Sequence, residues 1–344
     1  MHDVRVPITL VTGYLGSGKT TLLNGLLRSP QFADSVVIIN EYGEAPLDHL
    51  LVEHISENIR LLDTGCLCCT VRGDLVDTLA DLATRRRQGS LRFTRAFVET
   101  TGLADPVPLL HSVAIDPAVM KDWRLAGVAT TLDAVNGAAT LAKHHDAKRQ
   151  LAVADLVVIT KLDLSEADRI EEVTRRITLL NPHAAVCSVQ AEDLLQQARD
   201  LDCTPPRLDL DRLSSLAGGR HLHPDQRIGT QTLTLETPIR EAEFLEWLHM
   251  LAAMRGENLL RVKGLVAVAE DPDRPRLVQV VQHVVHPVAV LSEWPSSDRS
   301  TRIVFIVQDI DVDVIERTFR RYVGSTSGLH SQTAEPAGQS VAGR

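Results

Sequence analysis

Between residues 6 and 200, short continuous apolar runs alternate with stretches whose apolar positions recur every three or four residues. The runs PITLVT (7–12), SVVIIN (35–40), RAFVET (95–100), LAGVATTL (125–132), ADLVVIT (154–160) and AAVCSV (184–189) predict strands. TTLLNGLLR, DLVDTLADLATRR and EADRIEEVTRRITLL predict helices between them. Strands that are apolar throughout, rather than at every second position, are covered on both faces, as in parallel sheets flanked by helices. The expectation is a doubly wound, mostly parallel α/β domain over residues 1–215. Pro, Gly and Ser then interrupt the pattern, and 216–226 reads as a linker.

A second, smaller mixed α/β domain is predicted over 227–322. TQTLTLET, RVKGLVAV, RLVQVVQHVV and RIVFIVQ supply its strands, and REAEFLEWLHMLAAM and VDVIERTFRRYV its helices. Trp247 falls at helical spacing with Phe244 and Leu251 and is expected in the core. Residues 323–344 lack apolar periodicity and read as a disordered tail.

Composition narrows the function classes. Among 344 residues, 36 Lys and Arg stand against 45 Asp and Glu, a net charge of −9 that excludes a general field for nucleic acid or anionic membranes. Aromatic residues make up only 3%, too few for base-stacking platforms. The opening MHDVRVPITLVTG has no basic segment followed by an apolar one, and no run is long enough to span a bilayer. The expected location is the cytoplasm, where a structural disulfide is disfavoured.

Directly after the first predicted strand, GYLGSGKTT matches G-x-x-x-x-G-K-[ST] and precedes a predicted helix, which is the context a phosphate-binding loop requires. Gly13, Gly16, Ser17, Gly18, Lys19, Thr20 and Thr21 are the candidate nucleotide contacts. Glycines let successive N–H groups point inward, where the helix N-terminus adds positive potential. Lys19 is placed to meet the terminal phosphates and the Thr20 hydroxyl to ligate magnesium. Glu99, closing a later strand, is expected to complete the magnesium site through a water, and Gly102 to sit near the third phosphate.

Thr160, Lys161 and Asp163 form T-K-x-D after another strand, a variant of the guanine motif N-K-x-D. A carboxylate accepts both N1–H and the exocyclic amine of guanine and leaves adenine unmatched. GTP and GDP are therefore the expected nucleotides. Neither a water-positioning glutamine nor an arginine finger is evident, so intrinsic hydrolysis is predicted to be slow.

TGCLCCTVRGDL (64–75) places Cys66, Cys68 and Cys69 within four positions of a chain with five cysteines. Thiolates select soft or borderline metals, and three with one further ligand make a tetrahedral site. Redox chemistry and core packing are the alternative uses. Cys187 and Cys203 read as ordinary residues of a strand and a linker. His144 and His145 read as solvent-exposed helix residues, and His283 and His286 as packed or surface histidines.

GYLGSGKTT, NEYGE (40–44), GCLCCTVRGDL (65–75), ETTGLADP (99–106) and TKLD (160–163), in this order, resemble the CobW-type GTPases, a P-loop family of metallochaperones. GENLLRVKG (256–264) and WPSSDRSTRIVFI (294–306) are similar to the family's C-terminal domain, so the resemblance spans about 5–322. It implies magnesium-dependent hydrolysis of GTP to GDP and phosphate, linked to delivery of zinc or cobalt to a client metalloprotein or chelatase. It also implies that Cys66, Cys68 and Cys69 bind the transition metal, with Glu44 a possible oxygen ligand, in a monomer or a metal- or nucleotide-dependent homodimer. The family's histidine-rich stretch is reduced here to His221 and His223, which argues against metal storage. The competing readings are a P-loop ATPase or kinase with a structural zinc knuckle, and a non-catalytic zinc-binding protein.

Overall fold

The computed structural model describes residues 4–39, 59–61, 68–189, 194–201, 220–221 and 228–323. The first domain is built on seven strands: β1 (Val6–Gly13), β2 (Ser35–Ile39), β3 (Ile59–Leu61), β4 (Arg95–Glu99), β5 (Trp123–Asp133), β6 (Leu156–Thr160) and β7 (Ala185–Ser188). Their order is β3-β2-β4-β1-β5-β6-β7, and every pairing is parallel. The helices are α1 (Lys19–Leu27), α2 (Cys68–Arg87), α3 (Val107–Ile115), α4 (Pro117–Met120), α5 (Gly137–Lys143), α6 (His145–Ala152), α7 (Ala167–Leu180) and α8 (Leu194–Asp200).

Both sheet faces are buried, as the unbroken apolar runs require. Ile8, Leu10 and Val98 pack with Leu75, Leu79 and Leu110 on the α2–α3 side. Val11, Val37 and Phe97 pack with Leu22, Leu23 and Leu26 of α1 on the other. Because β1 lies between β4 and β5, the loops leaving these strands meet at one end of the sheet, where ligands bind in open α/β folds.

The second domain is an antiparallel sheet with two helices: β8 (Arg220–His221), β9 (Ile228–Leu235), α9 (Glu241–Arg255), β10 (Leu259–Val266), β11 (Arg276–Val281), β12 (Val284–Val285), β13 (Ala289–Val290), β14 (Thr301–Gln308) and α10 (Val312–Val323). Phe244, Trp247, Leu248 and Leu251 share one buried stripe of α9. Trp247 is the hub, with ring centroids 6.0 Å from Phe305 and 5.0 Å from Phe319 and its indole N–H donating to Thr318 Oγ1 at 3.2 Å. The apolar run 276–285 is two strands rather than one, because Gln282 adopts φ of 51° and turns the chain back. Within the predicted linker, residues 220 and 221 pair with β9.

The domains share buried surface. Ile228, Leu260 and Ile306 of the second domain pack with Leu151, Val157 and Ile177 of the first. At the centre of the contact, Asp155 faces the buried Arg261 and Lys263 of β10, with Lys263 Nζ at 3.5 Å. Arg261 Nη1 also donates to Val153 O at 2.9 Å, and Val128 N–H donates to Asp155 Oδ2 at 3.0 Å. Burial pushes the Asp155 carboxyl upward, but the two cations and the Val128 N–H more than offset this and hold it below the ordinary carboxylate range. Burial pushes the Lys263 ammonium down despite that partner.

His286 stands beside this cluster. Burial, and then the charge of Arg261, lowers its imidazole from 6.5 to about 4. Between these values the unfolded chain binds a proton that the folded chain refuses. The contribution is complete above pH 6.5 and is lost as pH falls toward 4. Lowering pH from 7 to 5 is expected to remove about 1–2 kcal/mol through this residue. Urea unfolding at the two pH values checks this, since His286→Gln must lose that share of the pH dependence.

Candidate functional site

Gly13 ends β1 with φ of 140°, and Gly16 and Gly18 follow at 69° and 94°, conformations that L side chains rarely adopt. A Cβ at Gly13 would stand 2.3 Å from Thr131 Oγ1 and 2.7 Å from Ser17 Oγ, so the position needs glycine for space as well. Gly18 caps α1 without a side-chain acceptor, which leaves the first-turn N–H groups facing the loop. Ser17 Oγ and Thr131 Oγ1 are 2.6 Å apart, and Thr131 Oγ1 donates to Thr12 O at 3.3 Å. The loop is thereby pinned to β5.

Lys19 Nζ donates to Gly13 O at 3.0 Å and Tyr14 O at 3.4 Å, placing the ammonium over the curled backbone. Thr20 Oγ1 donates to Glu99 Oε1 at 3.0 Å, although the two residues lie 79 positions apart. Glu99 is 5% exposed. A hydroxyl and a buried carboxylate in contact beside a phosphate loop are the hard oxygen donors that magnesium takes, so the residues present fit that ion. Thr21 follows on α1 and is exposed.

Behind Glu99, the chain turns back across the loop. Thr100 Oγ1 donates to Thr12 Oγ1 at 2.9 Å. Gly102 passes so close to the phosphate loop that a Cβ there would lie 2.6 Å from Leu15 N. The buried amide of Gln150 on α6 donates to Gly102 O at 3.1 Å and Ala104 O at 3.0 Å, and Arg149 pairs with Asp105 at 3.1 Å. α6 therefore holds the segment 102–105 that follows Glu99. Its sequence carries no motif, which is why Gln150 escapes detection until the helix is placed.

The predicted base-reading residues arrive at the same end. Thr160 Oγ1 donates to Ser17 O at 2.7 Å, so the threonine that replaces the motif's asparagine retains a direct clamp on the phosphate loop. Lys161 adopts φ of 56° and pairs with Asp133 at 3.0 Å. That pairing braces the lysine stem beside the exposed Asp163 on the turn 162–164. Asp133 ends β5 and was not singled out in the sequence. His144, expected to be simply solvated, stacks on Tyr14 of the phosphate loop with centroids 4.5 Å apart, and its Nδ1 is 3.0 Å from Tyr14 Oη.

Glu44 and Cys66 lie outside the described residues. The backbone of Cys68 and Cys69 forms the beginning of α2, six residues further toward the N-terminus than the helix predicted from apolar spacing. Among the described residues, no group of three or more His, Cys, Asp or Glu is placed to hold a metal ion.

Residues 7–188 match the family model described as "CobW/HypB/UreG, nucleotide-binding domain", and residues 228–323 match "Cobalamin synthesis protein cobW C-terminal domain". The chain is 30% identical over 362 residues to the Pseudomonas aeruginosa protein named "Zinc chaperone CobW", covering 92% of this chain and 91% of that one. It is 29% identical over 327 residues to the Escherichia coli "Zinc chaperone YjiA", covering 91% and 98%. The crystal structure described as Zn(II)-bound YjiA GTPase from E. coli superposes with a TM-score of 0.65 over 94% of this chain and 99% of that one, at 22% identity, which is a likeness of fold. With both family domains matched in order along one chain, and with the phosphate loop, Thr20–Glu99 contact and Thr160 clamp assembled at one end of the first sheet, this protein belongs to the CobW/HypB/UreG family.

Proposed function

We propose that the chain is a GTP-binding, slowly GTP-hydrolysing zinc chaperone that passes its metal to a client metalloprotein. The observation that carries the nucleotide half is the 3.0 Å contact between Thr20 and Glu99 beside a loop whose carbonyls Gly13 O and Tyr14 O hold the Lys19 ammonium. The inward N–H groups and Lys19 would bind the terminal phosphates. Thr20 and Glu99 would hold magnesium, which when bound neutralises charge developing on the transferred phosphoryl group. Gly102, held by Gln150 close to Leu15, would lie near an arriving third phosphate. Lys161, braced by Asp133, would lie along the base while Asp163 reads guanine.

The cargo half rests on the cysteines and on the names of the relatives. Cys68 and Cys69 begin a helix of 20 residues, and a helix N-terminus favours the thiolate, which is the metal-binding form. Zinc is the cargo the relatives' names support, with cobalt the other candidate; Cys66, Cys68, Cys69 and Glu44 are the proposed ligands. GTP and metal then act on one set of loops, and linkage requires each to change the other's affinity by the same factor.

The test pairs base specificity with that linkage. Asp163→Asn is expected to weaken GTP binding at least tenfold and to gain the corresponding xanthosine nucleotide, because an amide presents a donor where guanine also presents one. Wild-type affinity for GTP, measured by calorimetry with and without zinc, is expected to differ several-fold. Unchanged base preference would remove the guanine reading, and equal affinities would remove the coupling. An unaltered metal transfer rate in Cys68→Ala with Cys69→Ala would remove the thiol site.

The Gln150 contacts lead to a separate expectation. Gln150→Leu keeps side-chain volume but releases the Gly102 and Ala104 carbonyls. Turnover is expected to fall roughly tenfold, as loss of a positioning contact does, with GDP affinity unchanged within about threefold. Single-turnover phosphate release and GDP titration separate the two quantities.

A further inference from the structure

Thr160 closes β6 and is 4% exposed. Its main chain is fixed across the sheet, where Ala134 N–H donates to Thr160 O at 2.9 Å. Both branches of its side chain are turned to the phosphate loop. Oγ1 donates to Ser17 O at 2.7 Å, and Cγ2 lies 3.2 Å from where a Cβ on Gly18 would stand, so the methyl covers that glycine. No further branch is left to point at a base.

A hydroxyl has one proton, and here Ser17 O takes it. Asparagine, which fills this place in N-K-x-D, carries an amide with two donor hydrogens and an acceptor, enough to hold the loop and still donate outward. After the clamp, threonine keeps only lone pairs. Guanine presents N7 and O6 along one edge, and both are acceptors, so a lone pair facing them gains nothing. The neighbours on the turn do not replace the missing donor. Lys161 is held by Asp133 at 3.0 Å, Asp163 is a carboxylate, and the Ser165 hydroxyl donates to Ala134 O at 3.2 Å.

The two edges of the base are then read unequally. The Asp163 carboxylate can accept from N1–H and the 2-amino group, whereas N7 meets no spare side-chain donor on this turn. We infer that Thr160 sets the specificity of the site by its clamp: guanine nucleotides are accepted without selection of the atom at position 7, a consequence that rests on Asp163 reading guanine as proposed above. Nucleotides of 7-deazaguanine, which carry C–H in place of N7, are then bound as well as the natural ones. Thr160 is a positioning residue for the phosphate loop, and discrimination among purines falls to Asp163.

The test is calorimetric titration of the full chain, with magnesium, against GDP, 7-deaza-GDP and IDP, diphosphates being chosen so that turnover does not intervene. GDP and 7-deaza-GDP are expected to bind within about twofold of each other, and IDP, which lacks the 2-amino group, at least about tenfold more weakly. Thr160→Asn supplies a spare donor and is expected to favour GDP over 7-deaza-GDP by about three- to tenfold, the worth of one hydrogen bond. Thr160→Val keeps the shape but leaves Ser17 O unpaired, and is expected to weaken both nucleotides equally, by at least about fivefold. Thermal unfolding without nucleotide shows that the variants fold. A wild-type preference for GDP over 7-deaza-GDP of about fivefold or more, with IDP still weak, would overturn the inference and leave the guanine reading standing. Equal binding of GDP and IDP would remove both. An unequal loss in Thr160→Val, or a folded Thr160→Asn that still treats GDP and 7-deaza-GDP alike, would also overturn it, since position 160 would then touch the base already or never face N7.

Discussion

Replacing Lys19 by alanine is expected to lower GTP hydrolysis by about a hundredfold or more while leaving the protein folded. The size follows from what the side chain does. Its ammonium is held over the loop by Gly13 O and Tyr14 O, and removal of one preorganised donor from a phosphoryl or oxyanion site costs about two to three orders of magnitude in rate. The fold is insulated because α1 is anchored by Leu22, Leu23, Leu26 and Leu27, all buried, whereas Lys19 sits half-buried at its first turn. Phosphate release measured under single-turnover conditions decides the matter. Residual turnover within tenfold of wild type would remove Lys19 from the catalytic site.

The second large effect is on stability. Asp155→Ala is expected to cost about 3–5 kcal/mol, because it strands Arg261 and Lys263 as buried cations and leaves Val128 N–H without its carboxylate. Breaking a buried ion pair from one side is worse than removing it whole. The double variant Asp155→Leu with Arg261→Met is therefore expected to recover a large part of the loss, although Lys263 then remains. Burial already lowers the proton affinity of that ammonium, so the recovery is not expected to be complete. Urea unfolding of the three proteins at pH 7 supplies the comparison. A loss below about 1 kcal/mol in Asp155→Ala would mean that water, rather than the carboxylate, solvates the two cations.

The two predictions sit at opposite ends of one sheet, yet α6 touches the surroundings of both. Its Gln150 holds the segment after β4, and the carbonyl of Val153, just past its last turn, receives Arg261 from the second domain. Asn181 fastens the same end by donating to Leu151 O and Ala154 O at 2.8 and 2.9 Å. Any displacement of Gly102 would therefore load a helix that the second domain grips. This is a physical contact between the nucleotide segment and the domain interface, and Gln150→Leu breaks it at its nucleotide end.

How legible the site was in the sequence depended on the kind of chemistry. The phosphate loop was readable because its glycines answer a local need: three positive φ angles within six residues and a closest approach that no Cβ survives. That Glu99 lies beside the phosphate loop was readable because strand ends in such folds collect at one edge. Asp133, Gln150 and the Tyr14–His144 stack were not, since each acts through a partner far away in sequence. His144 looked like an exposed helix residue and is exposed, but its ring lies on Tyr14 across 130 positions.

The same division runs through the fold. Continuous apolar runs were sufficient for a parallel sheet covered on both faces, and helical spacing for Trp247 in the second core, because both follow from local periodicity and the gain from burying apolar surface. The three-residue β3 carried too short a pattern to register, and the run 276–285 concealed a reversal at Gln282 that apolarity cannot signal. By itself the sequence determined the two domain types, the phosphate loop and the nucleotide class to be tested, each written in neighbouring residues. Only the tertiary structure decided that Asp155, Arg261 and Lys263 share one buried cluster and that Gln150 supports Gly102. Those relations join residues 48 to 108 positions apart in the chain, and only the packing of one element on another brings them together.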